Sequence, residues 1–185
     1  MYHIFSRWYI TLILWSIISL SCNSNYDTQK ESSGEPEKAD SVAVTIDWNY
    51  KSLPTKMEIR EPSALRSIDL WTTDSIRDIQ NAPFSNIIEE NTFYLSPGGK
   101  KSFILTMTNT TRDDLYFFAA PHLASPVEHS LGFKFKCLCV NHVFHIPPGN
   151  TWYRAVEFRL SEHFLGAKLT VTHTLLGTTK DRLGD

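Results

Sequence analysis

The chain has 185 residues, with 18 Lys and Arg against 20 Asp and Glu, a net charge of −2, and 42% hydrophobic residues. Without a basic stretch it offers no electrostatic footprint for nucleic acid, and its three cysteines are too few for a disulfide-built scaffold. The length suits one domain plus accessory segments.

Met1 to Arg7 carries one firm positive charge, and Trp8 to Leu20 is an uncharged run of 13 residues. That is short of the roughly 20 residues a membrane-spanning helix needs, and it suits the apolar region of a secretory signal. The run ends in Ile18-Ser19-Leu20-Ser21-Cys22, the pattern of a bacterial lipobox. Residues 1–21 are therefore expected to be a lipoprotein signal peptide, with Cys22 diacylated as the new N-terminus. Residues 22–41, rich in Ser, Glu, Lys and Asp, cannot bury enough apolar area to order themselves and read as a flexible tether. This places the rest outside the cytoplasm, anchored to the cell or outer membrane and facing the periplasm or the cell exterior.

Val42 to Asn49 alternates apolar and polar residues and predicts a strand, which Leu53-Pro54 breaks. Met57–Glu61 and Ser67–Thr72 are expected as short strands, and Asp74–Gln80 has helix-compatible spacing at Ile76 and Ile79. Further strands are expected over Thr92–Leu95, Ser102–Asn109 and Leu115–Ala120, with turns at Pro97-Gly98 and Asn109–Asp113 and a connecting loop from His122 to Ser130. Asn109-Thr110-Thr111 fits a glycosylation acceptor, which the bacterial signal sets aside. Trp152–Leu160 alternates with Arg154 on its apolar side, and Lys168–Leu176 presents Leu169, Val171, His173 and Leu175 on one face. His173 there reads as a hydrogen-bonded core histidine. Short strands separated by Pro/Gly turns predict an all-β antiparallel sandwich. No nucleophile–base spacing or three-ligand metal motif points to an enzyme.

The segment Gly132 to Gly149 concentrates the chemistry: Cys137 and Cys139, then His142 and His145, then Pro147-Pro148-Gly149. Residues two apart on a strand share a face, with Cα atoms roughly 6.5–7 Å apart, at the long limit for a disulfide but suited to one soft metal ion. Copper(I) and zinc both accept thiolate. By the same alternation Phe133, Phe135, Cys137 and Cys139 share a face opposite Lys134 and Lys136, which equally describes core cysteines. Thiols kept reduced outside the cytoplasm are unusual unless something uses them, and this favours the metal.

The order of these features resembles the CtaG-type copper-delivery assembly factors of cytochrome c oxidase. The resemblance covers residues 91–177. It rests on Pro97-Gly98, the strand from Phe103 to Asn109, the Pro121–Pro126 loop, the stretch Phe133-Lys-Phe-Lys-Cys137-Leu-Cys139, Pro148-Gly149 and the two final strands. Leu138 and Val140 replace the family's aromatics, and a lipid anchor at Cys22 replaces its transmembrane helix. The resemblance implies an immunoglobulin-like copper domain over residues 91–178, with residues 42–90 packed on it or part of it and 179–185 as a tail. It also implies that Cys137 and Cys139 hold Cu(I) for delivery to the CuB site of a haem-copper oxidase subunit or another acceptor, alone or across a homodimer. His142, and more weakly His145, are candidate additional ligands. Lys134 and Lys136 would favour the thiolates if they lay near them. The expected site is at an exposed sheet edge, reached by a bend near Lys136–Val140. The competing readings are a structural or adhesion-type envelope lipoprotein with core cysteines, and a dithiol redox protein.

Overall fold

The computed structural model describes residues 41–138 and 141–182. The expected signal peptide, tether and Cys22 lie outside them, as do Cys139 and Val140. The described residues hold β1 (Val42–Lys51), β2 (Met57–Pro62), β3 (Thr73–Ile76), β4 (Phe84–Ile87), β5 (Thr92–Leu95) and β6 (Lys100–Thr108). They continue with β7 (Leu115–Ala119), β8 (Leu123–Ser125), β9 (Phe133–Lys136), β10 (Phe144–Ile146), β11 (Thr151–Leu160) and β12 (Lys168–Thr178). No described helix is long and apolar enough to cross a membrane.

The strands form two packed sheets, an all-β sandwich. One runs β10-β7-β12-β1-β5 with β8 also on β12, and the other runs β3-β11-β6-β2-β4 with β9 also on β11. The core lies between them, built from the alternating inward residues of both, such as Val44, Ile46, Val171 and Leu175 facing Ile59, Phe103, Leu105, Val156 and Phe158. Residues 42–90 contribute β1 to the middle of the first sheet and three strands to the second, so they are integral to the sandwich.

One pairing departs from the antiparallel expectation: β1 runs parallel to β12, in register from Ala43↔Lys168 to Lys51↔Leu176. Parallel neighbours need a long crossover, and here the whole intervening domain supplies it. This register sets Trp48 directly beside His173.

The two weakest expectations fail for the same reason. Ser67–Thr72 is not a strand; its end hydrogen-bonds the edge of β11, where Trp71 N–H donates to Ala155 O and Ala155 N–H to Thr72 O. The residues before it, Ser67, Ile68 and Leu70, line a hollow with Ile104 and Ala155, both buried outside the core cluster. Asp74–Gln80 is not helical. Its first part pairs with β11 from Thr73↔Arg154 to Ile76↔Thr151, and only a 3-10 turn at Ile79–Asn81 follows. A seven-residue segment cannot offset helix nucleation when a strand edge offers every hydrogen bond at once. The His122–Ser130 loop carries the short β8 and a 3-10 turn at Val127–His129.

Asn109, fully buried, locks two turns together. Its Nδ2 donates to Asp113 O at 2.8 Å and Ile146 O at 2.9 Å, while Oδ1 accepts from the N–H and hydroxyl of Thr111. With its amide so engaged, the side chain is not a surface glycosylation acceptor.

Candidate metal centre

The cysteine strand ends earlier than its pattern suggests. β9 stops at Lys136 and the chain bends at Cys137 and Leu138. It restarts as β10 on the other sheet. Cys137 thus sits at the start of a crossover between sheets. Phe133, Phe135 and Cys137 keep the inward face and Lys134 and Lys136 the outward one, but the bend also buries Leu138, breaking the alternation. The expected exposure of the thiol is not found: Cys137 is 1% exposed. A side chain at the end of an inward-facing run enters the core before the bend can carry it to the rim.

Cys137 meets histidines that its own segment does not contain. Its Sγ stands 3.2 Å from Nε2 of His173, which projects from the middle of β12 in the opposite sheet. His122 completes the group, and one donor atom from each of His122, Cys137 and His173 lies within 4.8 Å of the others. β8 pairs Leu123 with Thr172, which brings His122 alongside His173, ring centroids 5.2 Å apart. His173 is therefore flanked in its own sheet by Trp48 on one side and His122 on the other.

Bond lengths of about 2.3 Å to sulfur and 2.0 Å to nitrogen put such donors about 3.5–3.7 Å apart around one ion. The Cys137–His173 separation of 3.2 Å is somewhat shorter than this and the three donors lie within 4.8 Å of one another, close enough to be candidates for one ion. Aromatic rings enclose it: Trp48 stacks on His173 at 5.4 Å, Phe135 stands edge-on to it at 5.4 Å, and Phe133 is 5.4 Å from His122. Cys137 and His173 are buried, and His122 is half-buried, the one member of the three that reaches the surface.

The cation coupled to Cys137 is Arg154, while Lys134 and Lys136 are exposed on the outer face. Arg154 points inward from β11, donating from Nη1 to Thr73 Oγ1 at 2.7 Å. Burial pulls its guanidinium below the usual range, and the charge of Cys137 opposes that shift. Two buried donors have no hydrogen-bond partner among the described residues, Trp48 Nε1 and Arg154 Nε.

His142 and His145 are not part of the group. His145, on β10, is exposed, stacks on Tyr116 at 4.7 Å and places Nε2 2.7 Å from Asp114 Oδ1. His142 is exposed, edge-on to Phe144 at 5.1 Å, and lines an apolar hollow of about 540 Å³ with Phe118, Pro121 and Val143. Sequence reasoning chose histidines near in the chain and missed the two near in space. His173 carried a signal, an imidazole on an apolar strand face; His122, in a loop, carried none.

A family model described as a domain of unknown function (DUF8709) matches residues 42–178, the span from the start of β1 to the end of β12. The chain belongs to this family. No curated protein matches it. The family unit coincides with the sandwich, and the candidate centre lies wholly inside it.

Proposed function

We propose that this DUF8709 domain is a membrane-tethered, extracytoplasmic Cu(I) carrier, anchored through a lipid at Cys22 and holding the ion on Cys137, His173 and His122. The observation that carries the reading is the 3.2 Å approach of the Cys137 thiol to His173 Nε2, with His122 beside them. One thiolate and two imidazoles form a soft, low-coordinate set that suits copper. Zinc completes three protein ligands with a fourth ligand or a water, and a shell of Trp48, Phe133 and Phe135 disfavours water. With Cys137 buried, a single ion within one chain fits better than one shared across a homodimer. Release begins at half-buried His122, where an acceptor's ligand can replace imidazole before the thiolate lets go. The acceptor class suggested by the order of turns and strands is a haem-copper oxidase subunit.

The test is anaerobic titration of the full chain with Cu(I), against zinc as competitor. The expected result is retention of about one copper per chain, abolished by Cys137→Ser. No retention, with Cys137 unreactive until the domain unfolds, overturns the carrier and makes the Cys137–His173 contact a structural hydrogen bond of an envelope β-sandwich.

A further inference from the structure

We infer that the Cys137–His173–His122 centre is a one-electron copper site, built to hold the ion as Cu(II) as well as Cu(I); this rests on the copper reading above. A pair of thiolates two residues apart favours Cu(I) alone, because thiolate is soft and reduces Cu(II). The donor set assembled among the described residues is different. One thiolate with two imidazoles is the trigonal arrangement of electron-transfer copper, in which sulfur supports Cu(I) and imidazole supports Cu(II).

The fold holds one of these donors mid-strand and the other two at the ends of short strands. His173 sits mid-strand on β12, in register with Trp48 on β1. Cys137 follows β9 directly and is bracketed by buried Phe135 and Leu138. The donors thus come from opposite sheets whose spacing is set by a packed core, and packed cores resist continuous deformation. Two buried donors fixed against a packed core move little between oxidation states, which keeps the reorganisation on electron exchange small. The rings of Trp48, Phe133 and Phe135 keep out water and the small thiols that would reduce or strip Cu(II).

The route for the electron is His122. It is half-buried, and the residue before it, Pro121, lines the apolar hollow with Phe118, Ala119 and Val143. An exposed ligand edge adjoining an apolar depression is where a one-electron partner, a haem or copper protein, can approach the metal without wetting it. In the step the site gives one electron to that partner and Cu(I) becomes Cu(II). Both imidazoles stay neutral, the thiolate stays unprotonated, no ligand bond breaks and no proton moves.

The experiment loads the full chain with Cu(I) under anaerobic conditions, measures retention, then oxidises it with ferricyanide. The expected result is an intense visible thiolate-to-copper band and the electron paramagnetic resonance of a mononuclear Cu(II), both erased by ascorbate and restored by ferricyanide with copper still bound. Cys139→Ser keeps the band. His122→Gly weakens it, and added imidazole restores it by entering at the half-buried position. Expulsion of copper on oxidation, a disulfide in place of the band, or loss of the band in Cys139→Ser overturns the inference, while the retention measured beforehand leaves the carrier reading intact. Failure to retain Cu(I) at the first step sinks both.

Discussion

Cys137 and His173 reach each other from opposite sides of the sandwich interior, with Sγ 3.2 Å from Nε2 although they are 36 positions apart in the chain. The contact ties the end of β9 to the centre of β12, so an ion bound there cross-links the two sheets. Binding should therefore be visible as stability.

At a free Cu(I) concentration a hundredfold above Kd, a ligand that binds only the folded chain stabilises it by about 2.7 kcal/mol. In a domain of this size that raises Tm by roughly 5–11 °C. Scanning calorimetry with and without Cu(I) should show the rise in the wild type and none in Cys137→Ser. A chelator that strips the copper should return Tm to its starting value.

His145→Ala should leave copper retention unchanged. The His145–Asp114 pair is exposed on both sides, and such pairs contribute little. Stability should move by no more than about 0.5 kcal/mol in a urea titration. A loss of copper in this variant would place the centre on the β10 side, not among His122, Cys137 and His173.

Trp48→Phe retains a ring over His173 and removes a buried indole N–H that has no partner among the described residues. An unsatisfied buried donor costs about 1–3 kcal/mol, which the smaller ring's lost contact area partly cancels. The variant is expected to be neutral to about 1 kcal/mol more stable by urea midpoint, with copper still bound. A destabilisation of about 2 kcal/mol or more would mean that the indole N–H has a partner in solution.

Asn109→Ala removes hydrogen bonds to Asp113 O, Ile146 O and both donors of Thr111 at a fully buried position. The orphaned carbonyls and amide predict a loss of about 3 kcal/mol. That corresponds to a fall in Tm of roughly 6–12 °C, measurable by circular dichroism. Because the 109–113 turn is also joined to the 147–150 turn through Gly149 N–H to Asn109 O and Asn109 N–H to Asn150 O, the loss should be cooperative, not a local fraying.

The strongest alternations in the chain were legible because each strand has one inward face. β1, β6, β11 and β12 follow their apolar pattern within two residues of expectation, with Arg154 and His173 inward as the alternation requires. Ser67–Thr72 and Asp74–Gln80 were misread because their conformation is set by hydrogen bonds to β11, which local spacing does not report. β10 was missed for a related reason: three residues carry too little pattern, and only pairing with β7 makes them a strand. In the candidate site, Cys137 was legible from its spacing to Cys139, while His142 and His145 were chosen for proximity in sequence.

The sequence by itself determined a β-sandwich and an inward His173, since side-chain period and strand pattern are properties of a single segment, while for Cys137 it left an exposed edge and a core position both open. Only the tertiary structure decided that these two face each other and that His122 joins them. Those contacts follow from β9 and β12 lying in opposite sheets, from the parallel β1–β12 register, and from β8 folding back on β12. Strand partnership is a long-range choice made by burial of the whole core, and no local stretch of this chain encodes it.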